Sequence, residues 1–271
     1  YYFRRDDLDM TEADFTAHCV QKLEELIARE GPDTIAAFIG EPVLGTGGIV
    51  PPPEGYWPAI QKVLQKHDIL LVGDEVVTGF GRTGTMMGST HYGMEPDLIT
   101  IAKGLTSAYA PLSGSIVSEK VWKVLEDGTD EFGPLGHGWT YSAHPIGAAA
   151  GVANLKLIDE LNLIENNTVT GDYLRAGLLE RLGDHPNVGD IRGVGMLAAV
   201  EFVEQKSGRK FFDASAGVGA QVAAALVGKG VIGRAMPQGD ILGFAPPFCL
   251  TQQEADIVIA KTEEAVRETF D

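Results

Sequence analysis

Three apolar runs in this chain each lead to a potentially reactive side chain, and no other feature constrains the fold as much. Residues 34–39 lead to Glu41, residues 69–73 to Asp74, and residues 98–102 to Lys103. Helical patterns lie between or before them. Phe15, Cys19, Leu23, Leu26 and Ile27 share one helical face, opened by a capping box at Thr11 and Asp14 and stopped at Gly31-Pro32. A second helix is expected near residues 56–66. Strands alternating with helices predict an α/β fold with a mostly parallel, doubly wound sheet. In open sheets of this kind, ligands bind beyond the carboxyl ends of the strands. If the three runs are neighbours, two carboxylates and an amine meet over one sheet edge.

The pattern continues with a glycine-rich loop at residues 78–88, a strand at 113–117 and a helix over 119–125. Pro145 opens a long helix through about Leu161, since its missing N–H is an orphan in the first turn anyway. Residues 168–182 read as another helix. After Asn187 the texture changes. Residues 188–203 give paired strand signals around Gly193 and Gly195, 217–228 form an Ala-rich helix, and 231–232 and 241–244 are short strands. Thr251 caps a final amphipathic helix. Two domains are therefore expected: a large one over 1–164 and a smaller α+β one over 165–271.

Charge excludes several partner classes. Lys and Arg number 21 against 38 Asp and Glu, a net charge of −17, so nucleic acid and anionic membrane are poor partners. No apolar stretch reaches about 18 residues, so no membrane-spanning helix is expected. The first residues lack a signal-peptide core, and a cytoplasmic location is the default. Two distant cysteines, Cys19 and Cys249, make neither a disulfide framework nor a zinc pattern. His137 and His144 lack acidic or cysteine ligands at helpful spacing, so no metal is expected. Leu44-Gly45-Thr46-Gly47-Gly48 faintly suggests a dinucleotide loop, but it enters three prolines rather than a helix.

The candidate residues each have a plain alternative. A desolvated lysine is the usual Schiff-base nucleophile, yet Lys103 alone also fits a snorkelling side chain at a strand end. Asp74 beside a pyridine nitrogen would keep it protonated; opposite charges at about 4 Å are worth roughly 4 kcal/mol at an effective dielectric of 20. Asp74 also fits a helix cap or a partner of Arg82. Val76 is placed to lie flat on a ring, or to pack in a core. Glu75 is read as a brace for the loop. Glu41 is placed to orient the ring hydroxyl region or to pair with a mobile arginine, or is a solvated loop residue. The separation of Asp74 and Lys103 fits one strand–helix–strand unit, so the two could flank one heterocycle. Pyridoxal phosphate is a cofactor that needs both groups.

The run Asp74-Glu75-Val76-Val77-Thr78-Gly79-Phe80-Gly81-Arg82-Thr83-Gly84, with Lys103-Gly104, closely resembles the class III pyridoxal-phosphate aminotransferases, in particular their ω-amine:pyruvate branch. Glu41-Pro42-Val43 and the segment from His137 to Pro145 resemble further family segments. The resemblance implies fold type I and a role for each matching position. Lys103 would hold the cofactor as a Schiff base and move the substrate proton. Asp74 would bind the ring nitrogen and Val76 would cover the ring. Thr140 would reach the cofactor phosphate of a neighbouring subunit, which implies a homodimer with a shared active site. Arg234 resembles the arginine that clamps the carboxylate of an oxo-acid acceptor, where a bidentate guanidinium is suited; as a lone residue it also fits a surface arginine. Tyr109, Trp139 and Tyr141 hint at aromatic walls, and Trp139 is assigned to the substrate. One departure is expected to matter: the family's N-terminal portion, with its phosphate-binding helix start, has no counterpart ahead of Glu41.

The leading expectation is transfer of an amino group from an amine or ω-amino acid to an oxo acid such as pyruvate. An aminomutase or decarboxylase on the same scaffold is the near alternative, and a nucleotide-binding oxidoreductase module the distant one. A non-catalytic fragment is the third class.

Overall fold

In the computed structural model, which describes residues 1–271, the helix after Thr11 is α1 (Glu12–Glu30). Its capping box is complete: Thr11 Oγ1 accepts from the Asp14 N–H, and the Asp14 carboxylate accepts from the Thr11 N–H. Two backbone donors that a helix start leaves orphaned are thereby satisfied. Leu23 and Ile27 are buried, but Leu26, expected on the same face, is 41% exposed. One step of 100° carries it past the edge of the apolar stripe.

The chain divides into two compact units. The first comprises Tyr1–Pro42, Pro52–Gly81 and Thr85–Leu161; the second comprises Val43–Pro51, Arg82–Gly84 and Asn162–Asp271. In the first unit, α2 (Tyr56–Lys66) packs with α1 around Trp57, Ile60, Val63 and Leu64, together with Ile69, Leu71 and Met94. The Trp57 indole N–H donates to the Pro42 carbonyl at 3.1 Å, which satisfies its one polar atom inside that core.

The sheet of the first unit runs β1 (Ala37–Gly40), β2 (Leu70–Asp74), β3 (Leu98–Ile101) and β4 (Gly114–Val117), in that order. The first three are parallel and β4 is an antiparallel edge. β1 starts later than its apolar run, because Pro32–Thr34 forms a 3-10 turn. Gly73 pairs with Gly40, and Asp74 pairs with Thr100. Side chains alternate between the faces of a sheet. Phe38 and Leu71 join the core under α1 and α2, while Val72, Asp74 and their neighbours Leu98 and Thr100 belong to the other face.

The short helix α3 (Gly88–His91) follows the glycine-rich loop. After β4 come α4 (Glu119–Asp127), α5 (Thr129–Phe132) and α6 (Pro145–Glu160), with Pro145 in the first turn. Every residue from 129 to 146 is exposed.

The second unit holds α7 (Leu163–Leu182), β5 (Val188–Val194), β6 (Leu197–Phe202), α8 (Val218–Gly228), β7 (Arg234–Ala235), β8 (Ile241–Phe244) and α9 (Gln252–Phe270). Its antiparallel sheet has the order β5-β6-β8-β7. β6 is buried along its whole length. Gly171 on α7 lets the Gly195 backbone approach: a Cβ there would lie 2.0 Å from the Gly195 oxygen. The strand expected at Val231 and Ile232 is absent. The Val231 N–H instead donates to the Leu226 carbonyl, closing the end of α8, and Gly230 takes φ +83° in that turn. The strand begins at Arg234. No helix is long and apolar enough to cross a membrane.

Candidate active site

The carboxyl ends of β1, β2 and β3 lie side by side, and each delivers a polar residue. Glu41 follows Gly40, the register partner of Gly73; Asp74 comes next on β2; and β3 carries Thr100 opposite Asp74, with Lys103 three residues on. Asp74 is the last residue of β2, and Lys103 follows two residues after the end of the neighbouring strand β3.

Asp74 is half-buried, and one of its carboxylate oxygens is fixed. Oδ1 accepts the Val76 N–H at 3.0 Å and the Thr100 hydroxyl at 3.2 Å. Arg82 is not its partner. That guanidinium belongs to the second unit, where it donates to the Pro246 carbonyl at 2.6 Å and lies 4.4 Å over the Phe248 ring. Burial alone brings the Arg82 pKa down to about 10.

Glu75 braces the loop behind Asp74. Its side chain is inaccessible to solvent and accepts from the Thr78 hydroxyl, from the Gly88 N–H at 3.0 Å and from the Ser89 N–H at 2.6 Å. Gly79 and Gly88 permit the tight path: a Cβ at Gly88 would lie 2.7 Å from Thr78 Cβ. The Phe80 and Gly81 N–H groups both donate to the Met86 carbonyl, and the Gly79 N–H to the Glu75 carbonyl. Those donors serve the loop itself.

Lys103 is exposed and opens a 3-10 turn, Lys103–Leu105, directly after β3. Its φ of +40° is unusual for a residue with a side chain. Such backbone persists only where the surroundings enforce it, and it clusters at functional sites. Gly104 lies against the glycine loop, where a Cβ would come 3.2 Å from the Gly79 oxygen.

Of the remaining candidates, Val76 stays beside Asp74 and the others lie elsewhere in the fold. Val76 is half-buried two residues past Asp74. Thr140 and Trp139 fall in the exposed segment ahead of α6, where Trp139 is 80% exposed and its N–H donates to Ser142 Oγ at 2.8 Å. His144 is the cap of α6, its Nδ1 accepting from the Ile146 N–H. Arg234 is exposed on β7, in the second unit. Thr100 escaped the sequence reading. Its signal was a lone hydroxyl in an apolar run, but only the register to Asp74 gives that meaning.

The donor set suits pyridoxal phosphate. Asp74 Oδ1 is anchored by two donors, which orients the carboxylate for a protonated ring nitrogen, and an exposed primary amine stands on the next strand end.

Comparisons with known proteins agree with this chemistry. A family model described as aminotransferase class-III matches residues 2–266. A diaminobutyrate–2-oxoglutarate transaminase of Halomonas elongata is 59% identical over 273 residues, covering 100% of this chain and 58% of that protein. A mitochondrial gamma aminobutyrate transaminase of Solanum lycopersicum is 41% identical over 269 residues, with 99% and 52% covered. Among solved structures, the omega transaminase of Pseudomonas jessenii in complex with PMP aligns at TM-score 0.95 and 40% identity, over 99% of this chain and 59% of that one. A transaminase from ancestral reconstruction aligns at TM-score 0.97 and 61% identity, again over 99% and 59%. The chain thus spans little more than half the length of these relatives.

Proposed function

The chain belongs to the class III aminotransferases, a pyridoxal-phosphate-dependent family of fold type I. From that premise we propose that the protein transfers an amino group from a primary amine or ω-amino acid to an oxo acid such as pyruvate. The observation that carries this reading is the row of strand ends bearing Glu41, Asp74 and Lys103, with Asp74 Oδ1 held by Val76 and Thr100.

Bound pyridoxal phosphate supplies an electron-withdrawing ring and an aldehyde that stores the amino group between half-reactions. Asp74 binds the ring nitrogen and keeps its proton in place through charge. Lys103 Nζ would hold the cofactor, and the same amine would move the proton at the amine-bearing carbon of the donor. Val76 covers one ring face, and Glu41 orients the ring's hydroxyl edge. Thr140 donates its hydroxyl to the phosphate bound by the other subunit of a homodimer. Trp139 forms part of the substrate wall. Arg234 pairs with the acceptor carboxylate in the bidentate fashion that suits guanidinium. The first unit serves as the cofactor domain and the second as the smaller domain. The named substrates of the relatives, diaminobutyrate and gamma-aminobutyrate, support an amine remote from a carboxylate as donor.

The test is a half-reaction on the full-length protein loaded with cofactor. An amine donor without acceptor should give one carbonyl product per active site and then stop, and pyruvate should restart it with alanine as product. Release of carbon dioxide, or steady turnover without acceptor, would point instead to decarboxylation or mutase chemistry.

A further inference from the structure

The turn that carries Lys103 is bound from outside by one side chain. Asn154 on α6 donates through Nδ2 to the Gly104 carbonyl at 2.8 Å and to the Leu105 carbonyl at 3.2 Å. Its Oδ1 accepts from the Ser107 hydroxyl at 2.7 Å. The amide therefore uses its donor and acceptor ends on one short stretch of backbone, 50 residues away in sequence.

That stretch needs an external restraint. Lys103, Ser107 and Ala108 have φ values of +40°, +49° and +62°, all in the left-handed region without being glycine. The turn's own bonds are few: the Leu105 N–H donates to the Ala102 carbonyl, the Thr106 N–H to the Lys103 carbonyl, the Tyr109 N–H to the Thr106 carbonyl, and the Thr106 hydroxyl to the Ala110 carbonyl. Two glycines bring α6 close to it. A Cβ at Gly147 would lie 3.2 Å from the Pro111 oxygen, and one at Gly151 would lie 3.3 Å from the Leu112 side chain. The helix is pressed onto this segment, and Asn154 is its polar contact with the turn.

We propose that Asn154 is a positioning residue for Lys103: it fixes the backbone from which the amine works, without touching substrate or cofactor. The inference rests on the reading of Lys103 as the cofactor-binding amine. Asparagine suits the place because it presents donors to two carbonyls and an acceptor to a hydroxyl. Aspartate would turn an oxygen toward those carbonyls, and alanine would leave all three groups free.

The experiment uses the full-length holoenzyme with Asn154→Ala and Asn154→Asp, and reads three quantities. These are the absorbance band of the bound cofactor at fixed pH, the hydrogen exchange of the Leu105 and Thr106 amides, and kcat against KM for one amine donor. Losing two carbonyl bonds should speed exchange at those amides and lower kcat by about tenfold, with KM within about twofold. The aspartate variant should show the larger changes, and the cofactor band should move in both. If Asn154→Ala fails to fold, Asn154→Ser, which retains one donor, should show an intermediate effect. Unchanged exchange, band and kcat in the variants would overturn the role of Asn154 and leave the proposed function standing. Absence of a lysine-bound cofactor band in the unaltered protein would overturn both.

Discussion

Asp74 and Thr100 face each other across β2 and β3, and the Thr100 hydroxyl donates to Asp74 Oδ1 at 3.2 Å. The two residues are 26 positions apart, so the register of two parallel strands alone makes the pair. The bond holds the carboxylate in one orientation before any cofactor arrives. A hydrogen bond to a charged group is worth about 1.5–3 kcal/mol. Thr100→Val keeps the shape and removes the bond. It should weaken cofactor affinity of the full-length protein by about tenfold, at the lower end of that range. Titration of the apoprotein with pyridoxal phosphate checks this, and unchanged affinity would mean that the Val76 N–H suffices.

Glu75 should matter for stability rather than for chemistry. Its carboxylate serves three donors in a site closed to water. Each buried donor left without a partner costs about 1–3 kcal/mol. Glu75→Ala should therefore destabilise the protein by about 3 kcal/mol or more, and Glu75→Gln, which keeps one acceptor oxygen, by less. Urea unfolding measures both losses, and a Glu75→Ala protein as stable as the unaltered one would show that these hydrogen bonds do not hold the loop.

Much of this was legible in the sequence because it is local. Capping at Thr11 and Asp14 involves four consecutive residues, and the three strand ends announce themselves where apolar runs meet charge. Glu75 could be read as a brace for the same reason. What escaped depends on distant partners. β7 is two residues long and exists only because Gly243 and Leu242 of β8 pair with it, whereas the more apolar Val231 is used to close α8. Val43–Pro51 and Arg82–Gly84 join the second unit through contacts no periodicity encodes. Arg192, for example, donates to the Gly48 and Ile49 carbonyls from more than 140 positions away. Thr100 and Asn154 belong to this class.

His185 sets an acid limit on the second unit. Its Nδ1 accepts the Asn187 N–H at 3.1 Å, a bond the protonated ring cannot keep. Burial holds the imidazole below its ordinary pKa, and Asp271, 3.9 Å from Nε2, opposes this only in part. The folded value lies below the unfolded one of about 6.5. Stability is thus fully present above that pH and is lost as pH falls through the lower folded value. His185→Leu should flatten the stability difference between pH 7.5 and 5.5. Urea midpoints that fall equally in both proteins would assign the acid loss to other groups.

Arg234 offers a test of substrate handling. A guanidinium that clamps the acceptor's carboxylate contributes nothing to a neutral amine. Arg234→Ala should raise KM for pyruvate by about tenfold or more, the loss of one charge-assisted pair, while KM for an uncharged amine donor moves little. Equal rises for both would show that this exposed residue of β7 acts on the fold rather than on the carboxylate.

The central claim is that Lys103 carries the cofactor, and borohydride tests it most directly. The full-length protein, loaded with pyridoxal phosphate, is reduced, digested and mapped by mass spectrometry. The account predicts a pyridoxyl group on Lys103, at one per chain, and none on Lys103→Ala protein. A label on another lysine, or no label at all, would contradict it.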